Sequence, residues 1–462
     1  MDSIAEANPG LAPDSIYARA RALSRRRLDY QAMATDSAAN PFDIDGSTVA
    51  LLKKWGPKGH LKAGRIGVFT PLFPIRNVIS GLDMKFSSDS LSISDTRYTV
   101  GRSRLTVDGS VANISRSLTS RRGSPIIIDF NIKGDTLDVN RIATAMFAGI
   151  AYRKTSERNS LSVAEESEAE MQRVLDRAAE NDSAAPVIIP MNIDAGLRLD
   201  ISNVLYSDLI LNDVSGLARV SGGALNLRGI RARTDMGAID LNALYSAPDE
   251  TDMRFAFGML LKDFRIDRFL KLMPSIDSVM PLLNGVSGII NADIAATSQL
   301  EPDMNINIPS LSAAVKITGD SLVLLDSETF RKVSKWLLFK NKKRNMIDHM
   351  EVEMIVDSQR VELFPFIFDM DRYRLGIMGS NDLALNFKYH VAVLKSPVPF
   401  KFGINISGNP DKMKIRLGGA KLSEKKLASS TMISDTTRIN LVLQIESAFI
   451  RGVRSSARPG LK

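Results

Sequence analysis

Between Asn381 and Leu394 the chain reads NDLALNFKYHVAVL. Leu383, Leu385, Phe387, Tyr389, Val391 and Val393 occupy one parity, and Asp382, Ala384, Asn386, Lys388, His390 and Ala392 the other. Strand side chains alternate between faces, so the spacing predicts one long half-buried strand. The pattern recurs along the chain. Ile126, Ile128, Phe130 and Ile132 form a row, and a longer one runs Ile189, Met191, Ile193, Ala195, Leu197, Leu199, Ile201. Others are Phe255 to Leu261, Val286 to Ile294, Met304 to Ile308, Phe400 to Ile406 and Met413 to Leu417. Gly, Asn, Asp and Pro separate the rows, as turns require. The expectation is antiparallel strands with one apolar and one wet face.

Three segments depart from alternation. Arg153 to Ala185 is charged and poor in apolar residues, which predicts an insertion outside the sheet. Asp326 to Asn345 has helical spacing, with Phe330, Val333 and Leu337 on one face and Lys340, Lys342, Lys343 and Arg344 at its end. Arg438 to Val453 predicts an amphipathic helix before a basic tail.

A repeat is also legible. GDTLDVNRIATAM, from Gly134, matches LKDFRIDRFLKLM, from Leu261, and pairs Asn140–Arg141 with Asp267–Arg268 at an offset of 127. DGSVANIS matches MGAIDLNALYS, with Gly109 against Gly237 at an offset of 128. Two matches at nearly one offset predict a duplicated strand-rich unit. The resulting division is an N-terminal segment 1–48, β units 49–152 and 186–280 around the insertion 153–185, a β region 281–420 holding the helix 326–345, and a terminal helix and tail 421–462.

At 462 residues the chain is too long for one compact core, since single cores stop growing beyond roughly 250–300 residues. The net charge of +8 permits attraction to anionic surfaces without arguing for it. With no cysteine, disulfides, thiolate metal sites and a Cys nucleophile are excluded. No run reaches the roughly 18 apolar residues of a membrane-spanning helix, and the first residues carry no signal-peptide pattern.

Chemistry-bearing motifs are scarce. There is no phosphate loop, dinucleotide fingerprint, nucleophile elbow or HExxH. His349 has Asp348 and Glu351 nearby but no second His for a metal, and reads as a polar strand-edge residue. His390 falls on the polar parity, where a solvated side chain is expected. Lys53, Lys54, Lys58, Lys62 and Arg65 around Trp55 and His60 read as a solvated basic loop between strands, not a nucleic-acid module. FPFIFDMDRY predicts an aromatic cluster at a strand edge. Asp369 and Asp371 are the nearest approach to the paired carboxylates of a glycosidase. The chain is therefore expected to be no enzyme and to use no metal or cofactor.

Four segments carry a family resemblance: VSGIINADI, GDSLVLLD, DSQRVELFPFIFDMDRYRLGIMGSNDL and FKYHVAVLKSPVPFKFGINISG. They place Leu282 to Leu417 close to the C-terminal region of the AsmA family of the bacterial envelope, in its Bacteroidota form. GRIGVFTPLFPIRNVISGLDMKFSSDSLSISD and LTVDGSVANIS are similar to the middle of such proteins. The resemblance implies a mostly β fold, an elongated curled antiparallel sheet that forms a repeating β-groove of U-shaped section with a few short helices. It also implies carriage of phospholipid between inner and outer membranes in outer-membrane biogenesis, at a periplasmic, inner-membrane-associated location. Members normally carry an N-terminal transmembrane helix, a pattern this sequence does not show. On this reading Leu383, Leu385, Phe387, Tyr389, Val391, Val393, Ile193, Leu197, Leu199, Phe402 and Ile404 line the groove. The same pattern also serves a dry core. The expected partners are phospholipid, the two membrane surfaces and envelope proteins, with no nucleic acid. The alternative function is an assembly factor for outer-membrane proteins that acts by strand-edge pairing.

Overall fold

The computed structural model describes residues 56–70, 73–119, 124–145, 188–206, 209–249, 251–266, 286–301, 304–324, 346–357, 359–370, 372–397, 399–409 and 412–422, with a few single positions besides. The expectations for 1–48, the insertion 153–185 and the helix 326–345 lie outside the described residues, as does Asp371; of the terminal helix only Asn440 and Leu443 are described, both helical. Among the described residues no helix is long and apolar enough to cross a membrane.

One sheet of 19 strands holds nearly everything described. The first unit contributes β1 (Lys58–Thr70), β2 (Phe73–Ser87), β3 (Ser90–Val100), β4 (Ser103–Ala112) and β5 (Ile126–Asp138), with the short helix α1 (Ile114–Thr119) before β5. The second contributes β6 (Ile193–Tyr206), β7 (Leu209–Ser221), β8 (Ala224–Arg233), β9 (Ala238–Ser246) and β10 (Arg254–Arg265). Then follow β11 (Val286–Ser287), β12 (Ile289–Gln299), β13 (Ser312–Leu324), β14 (Met346–Asp357), β15 (Arg360–Met370), β16 (Tyr373–Asp382), β17 (Phe387–Lys395), β18 (Phe402–Gly408) and β19 (Met413–Gly418). The sheet is built of β-strands, as the alternation predicts, and it is open and curled, as the resemblance implies. Each strand pairs with its sequence neighbour, except that the short β11 joins the end of β13 and β10 pairs directly with β12. β1 and β19 are the outer strands.

The pairing is antiparallel with one exception. β5 and β6 run parallel, from Ile126 opposite Ile193 to Asp138 opposite Leu205. A parallel neighbour requires the chain to return along the sheet before re-entering it. The charged segment the sequence sets apart lies within that connection.

Left-handed residues at bulges introduce the curl. Asp95 (φ 43°), Gly229 (φ 55°) and Asp263 (φ 53°) each stand where a ladder slips. In each case a side chain from the following strand accepts the freed N–H: Asp108 Oδ1 at 2.7 Å, Asn242 Oδ1 at 2.9 Å and Asn291 Oδ1 at 3.0 Å. A bulge adds twist, and repeated bulges on successive strands bend a sheet.

The sequence repeat has a structural counterpart. β5 begins at Ile126 and β10 at Arg254, 128 positions on, and helical turns start at 139 and 266. Asp138 caps the first turn, accepting the Arg141 N–H at 3.0 Å. Arg141 lies against Gly101 in the β3–β4 turn, and Arg268 pairs with Asp235 in the β8–β9 turn. Gly109 and Gly237 both sit at φ +152°, where a Cβ would strike Phe130 and Phe264 respectively.

Three local expectations fail. Asn381 to Leu394 is not one strand: β16 ends at Asp382 and β17 starts at Phe387. The Asp382 carboxylate accepts the Asn386 backbone N–H and side-chain amide, both at 2.8 Å, and Leu385 turns at φ 60°. Asx side chains compete with the ladder in this way. Met304 to Ile308 forms no strand; it holds a bridge at Ile306 and a 3-10 turn over Ile308–Ser310, capped by Asn307. The basic stretch at His60 is not a loop but strand β1, whose glycines blur its alternation.

Candidate functional site: an apolar track across one face

Residues directly opposite one another in a sheet share a face, so the pairings trace that face strand by strand. Phe130 faces Leu197, Leu197 faces Ala218, Ala218 faces Leu227 and Leu227 faces Ala243. Ala243 faces Phe257, Phe257 faces Ala296, Ala296 faces Ala313 and Ala313 faces Val356. A parallel trace runs Ile132, Leu199, Gly216, then Ile230, Leu241, Met259, Ile294, Val315, Met354 and Leu363. The track is apolar throughout and carries no titratable group at these positions. On the first trace Ala218, Ala243, Ala296 and Ala313 stand among the larger side chains; on the second the side chains are large on every strand but β7, where Gly216 lies against Ile230. The opposite face carries the charges, including Lys62 with Asp83 at 3.0 Å and Arg219 with Asp194 at 3.1 Å.

Burial divides the track into two regimes. Over β5 to β10 the large side chains, among them Phe130, Leu197, Leu199, Leu227, Leu241 and Met259, are half-buried. Toward the C-terminal end they close on one another. Val393 and Ile404 are 0% exposed and Val391 6%, within a cluster that runs from Met236 to Ile406. The track is thus only half-covered along Phe130, Leu197, Leu199, Leu227 and Leu241, while Ile132 and Ile230 beside them pack against buried Ile201, Val204 and Val214, and the C-terminal end is a packed core.

The residues singled out in sequence divide the same way. Ile193, Leu197 and Leu199 lie half-buried on β6, on the open part. Phe387, Tyr389 and Phe402 are half-buried against the C-terminal cluster, while Val391, Val393 and Ile404 are inside it. Leu383 and Leu385 belong to the turn; Leu383 donates its N–H to the Gln359 carbonyl at 3.2 Å and packs against the cluster. Sequence reasoning missed Leu225, Leu227 and Ile230 on β8. The bulge between Leu227 and Ile230 resets the parity, so Ile230 returns to the inner face out of phase.

The other predicted chemistry resolves into ordinary contacts. His390 is not solvated: it is 6% exposed on the outer face, where Nδ1 meets Asn405 Oδ1 at 3.0 Å and Nε2 accepts the Lys421 N–H at 3.0 Å. The segment 419–422 causes this burial by lying back over the outer face, with Leu422 against Gly376. His349 meets Asp320 at 2.6 Å, and His60 meets Asp83 at 2.5 Å. The His60 and Lys62 hydrogen bonds hold the Asp83 carboxyl below the usual range. Among the described residues no group of three potential ligands is placed to hold a metal. Burial pushes the Tyr389 hydroxyl up to about 12; it donates to Asn381 Oδ1 at 2.7 Å. Tyr98, raised for the same reason, donates to Asn77.

The aromatic cluster of FPFIFDMDRY is on β15, where Phe366 and Phe368 stack at 5.9 Å. A cavity of about 600 Å³ opens there, lined by Asp348, His349, Glu351, Glu353, residues 364–369 and Arg374.

Fold and site together define an architectural class: a single open, curled sheet with one continuous apolar face and one charged face. No protein-family model, no curated protein and no solved structure matches this chain.

Proposed function

We propose that the chain is a non-enzymatic lipid-handling protein, whose half-buried apolar track over β5 to β10 receives the acyl chains of phospholipid. One observation carries the reading: the inner face is continuous and apolar across the parallel junction, and Phe130, Leu197, Leu199, Leu227 and Leu241 on it are only half-buried. Apolar surface in water costs about 25 cal/mol per Å², so a contiguous face of this kind calls for a ligand or a partner. Its extent suits an acyl chain. Five interstrand steps from β5 to β10, at about 4.8 Å each, give roughly 24 Å along the sheet. That exceeds the half-thickness of a hydrocarbon core of about 30 Å. Desolvation along such a track needs no catalytic group.

Together with the resemblance to the AsmA family, this supports movement of phospholipid between the inner and outer membranes, in the periplasm. Edge pairing with outer-membrane protein strands is less well supported. β1 presents Lys58, Lys62 and Arg65, and β19 presents Lys414 and Arg416, and edge charges of this kind discourage strand addition.

Native mass spectrometry of the chain purified from a membrane-containing bacterial lysate tests the reading. Co-purified phospholipid is expected, reduced at least about tenfold in a folded Leu199→Asp, Leu227→Asp variant, since each buried charge costs several kcal/mol. Lipid-free wild-type protein would overturn the reading. Val391 is unsuitable for this test, because at 6% exposure an aspartate there would cost the fold.

A further inference from the structure

β14 and β15 are zipped at both ends and open between. Ile347 faces Met370, and Met354 to Asp357 face Leu363 to Arg360, but no ladder pairing joins 348–353 to 364–369. The cause lies in β15. Pro365 has no N–H to give, and on the β16 side the ladder slips between Leu363 and Phe366, so Phe364 and Pro365 form a bulge. The result is an eye in the ladder, an unpaired stretch six residues long, roughly 20 Å at the rise of a strand. The cavity of about 600 Å³ occupies this eye.

Its lining joins the two faces of the sheet. Phe366 and Phe368 line the cavity and also belong to the apolar cluster of the inner face. Asp348, Glu351, Glu353 and Asp369 line it from the charged side, against a single guanidinium, Arg374. Lys316 is adjacent but already held by Glu351 and by Glu353, the latter at 3.2 Å, which raises its pKa. Asp369 has only a loose 3.9 Å approach to Arg374, and Asp348 has no polar partner among the described residues. The rim is therefore net negative, with carboxylates available. Because the ladder closes at both ends, an extended peptide could not lie in the eye without threading it. A compact group can enter, and the volume is that of a small-molecule site.

Resting on the lipid reading above, we propose that this eye is a headgroup port for a zwitterionic phospholipid that bears an ammonium group, of the phosphatidylethanolamine type. Its ammonium sits between Asp348 and Asp369, its phosphate faces Arg374, and its glycerol end meets Phe366 and Phe368. Charge decides between headgroups. An anionic headgroup would face Asp348 and Asp369, beyond the Glu351 and Glu353 that Lys316 holds, whereas an ammonium complements them.

The test is headgroup selection by the full chain. It is incubated with vesicles of equal parts phosphatidylethanolamine and phosphatidylglycerol with identical acyl chains, recovered, and its bound lipid extracted and quantified. Enrichment of phosphatidylethanolamine by about two- to fivefold is expected, the ratio that one or two exposed ion pairs supply. In an Asp348→Asn, Asp369→Asn variant, checked for folding by circular dichroism, the ratio should fall to one or below. The net charge of +8 would by itself select the anionic lipid, so enrichment of phosphatidylglycerol in the wild type overturns the port. A ratio near one in the wild type, or one unchanged in the variant, also overturns it while leaving the track standing. Wild-type protein that takes no lipid removes both.

Discussion

At the scale of the residue, the inner face is apolar except where a polar group has a fixed partner. Tyr389 shows the rule. Its hydroxyl is bound to Asn381 and its ring stacks on Phe387 at 5.9 Å. Burial raises its pKa to about 12, above the ordinary 10.0. Between those values the folded state keeps a proton that the unfolded chain has lost, so stability is complete below pH 10 and declines as pH rises toward 12. The loss should be on the order of 2 kcal/mol. Urea unfolding followed across that window should show the decline in wild type. It should be flatter in Tyr389→Phe, with Tyr98 contributing what remains. An unchanged slope would mean the phenol is not buried as described. The same scale explains what the sequence concealed. The alternation placed Phe387, Tyr389, Val391 and Val393 on the inner face. The Asp382–Asn386 turn ended the strand before Leu385, because side-chain hydrogen bonds to the backbone leave no trace in the apolar pattern.

At the scale of the element, strands were the most legible feature and their endings the least. Ile126 to Ile132 and Ile193 to Ile201 were readable because strict parity survives wherever no bulge intervenes. β8 was not, because Leu227 and Ile230 face the same way across a bulge. Nor was β1, where Gly59, Gly64 and Gly67 remove the side chains that parity needs. The parallel step from β5 to β6 was invisible, since strand direction depends on the connection and not on the strand. Covering of the outer face was invisible too: His390 and Ala392 looked like solvated positions until the segment 419–422 lay over them. That covering is testable. A Cβ on Gly376 would lie 2.2 Å from Leu422 Cδ2, so Gly376→Val should destabilise by about 1–3 kcal/mol. Gly258→Ala, on the same face with nothing within 4 Å, should cost nothing or gain slightly. Denaturant midpoints compare the two; equal midpoints would mean the segment does not pack there.

At the scale of the whole molecule, a single sheet solves two problems that a chain of this length faces. It grows by adding strands rather than by enlarging a core, and repeated bulges bend it so that one face is enclosed. At its C-terminal end the enclosure is tight enough to exclude water from Val393 and Ile404. In the middle it is not, and the half-buried row from Phe130 to Met259 is where a lipid chain would lie. The central claim is that this row, and not the opposite face, touches lipid. Site-specific photocrosslinking in cells addresses it most directly, with a photoreactive residue at Leu197 or Leu241 on the inner face and at Arg198 or Arg231 on the outer. The account predicts phospholipid adducts from Leu197 and Leu241 and none from Arg198 or Arg231. Equal labelling of both faces, or adducts from the outer positions alone, would contradict it.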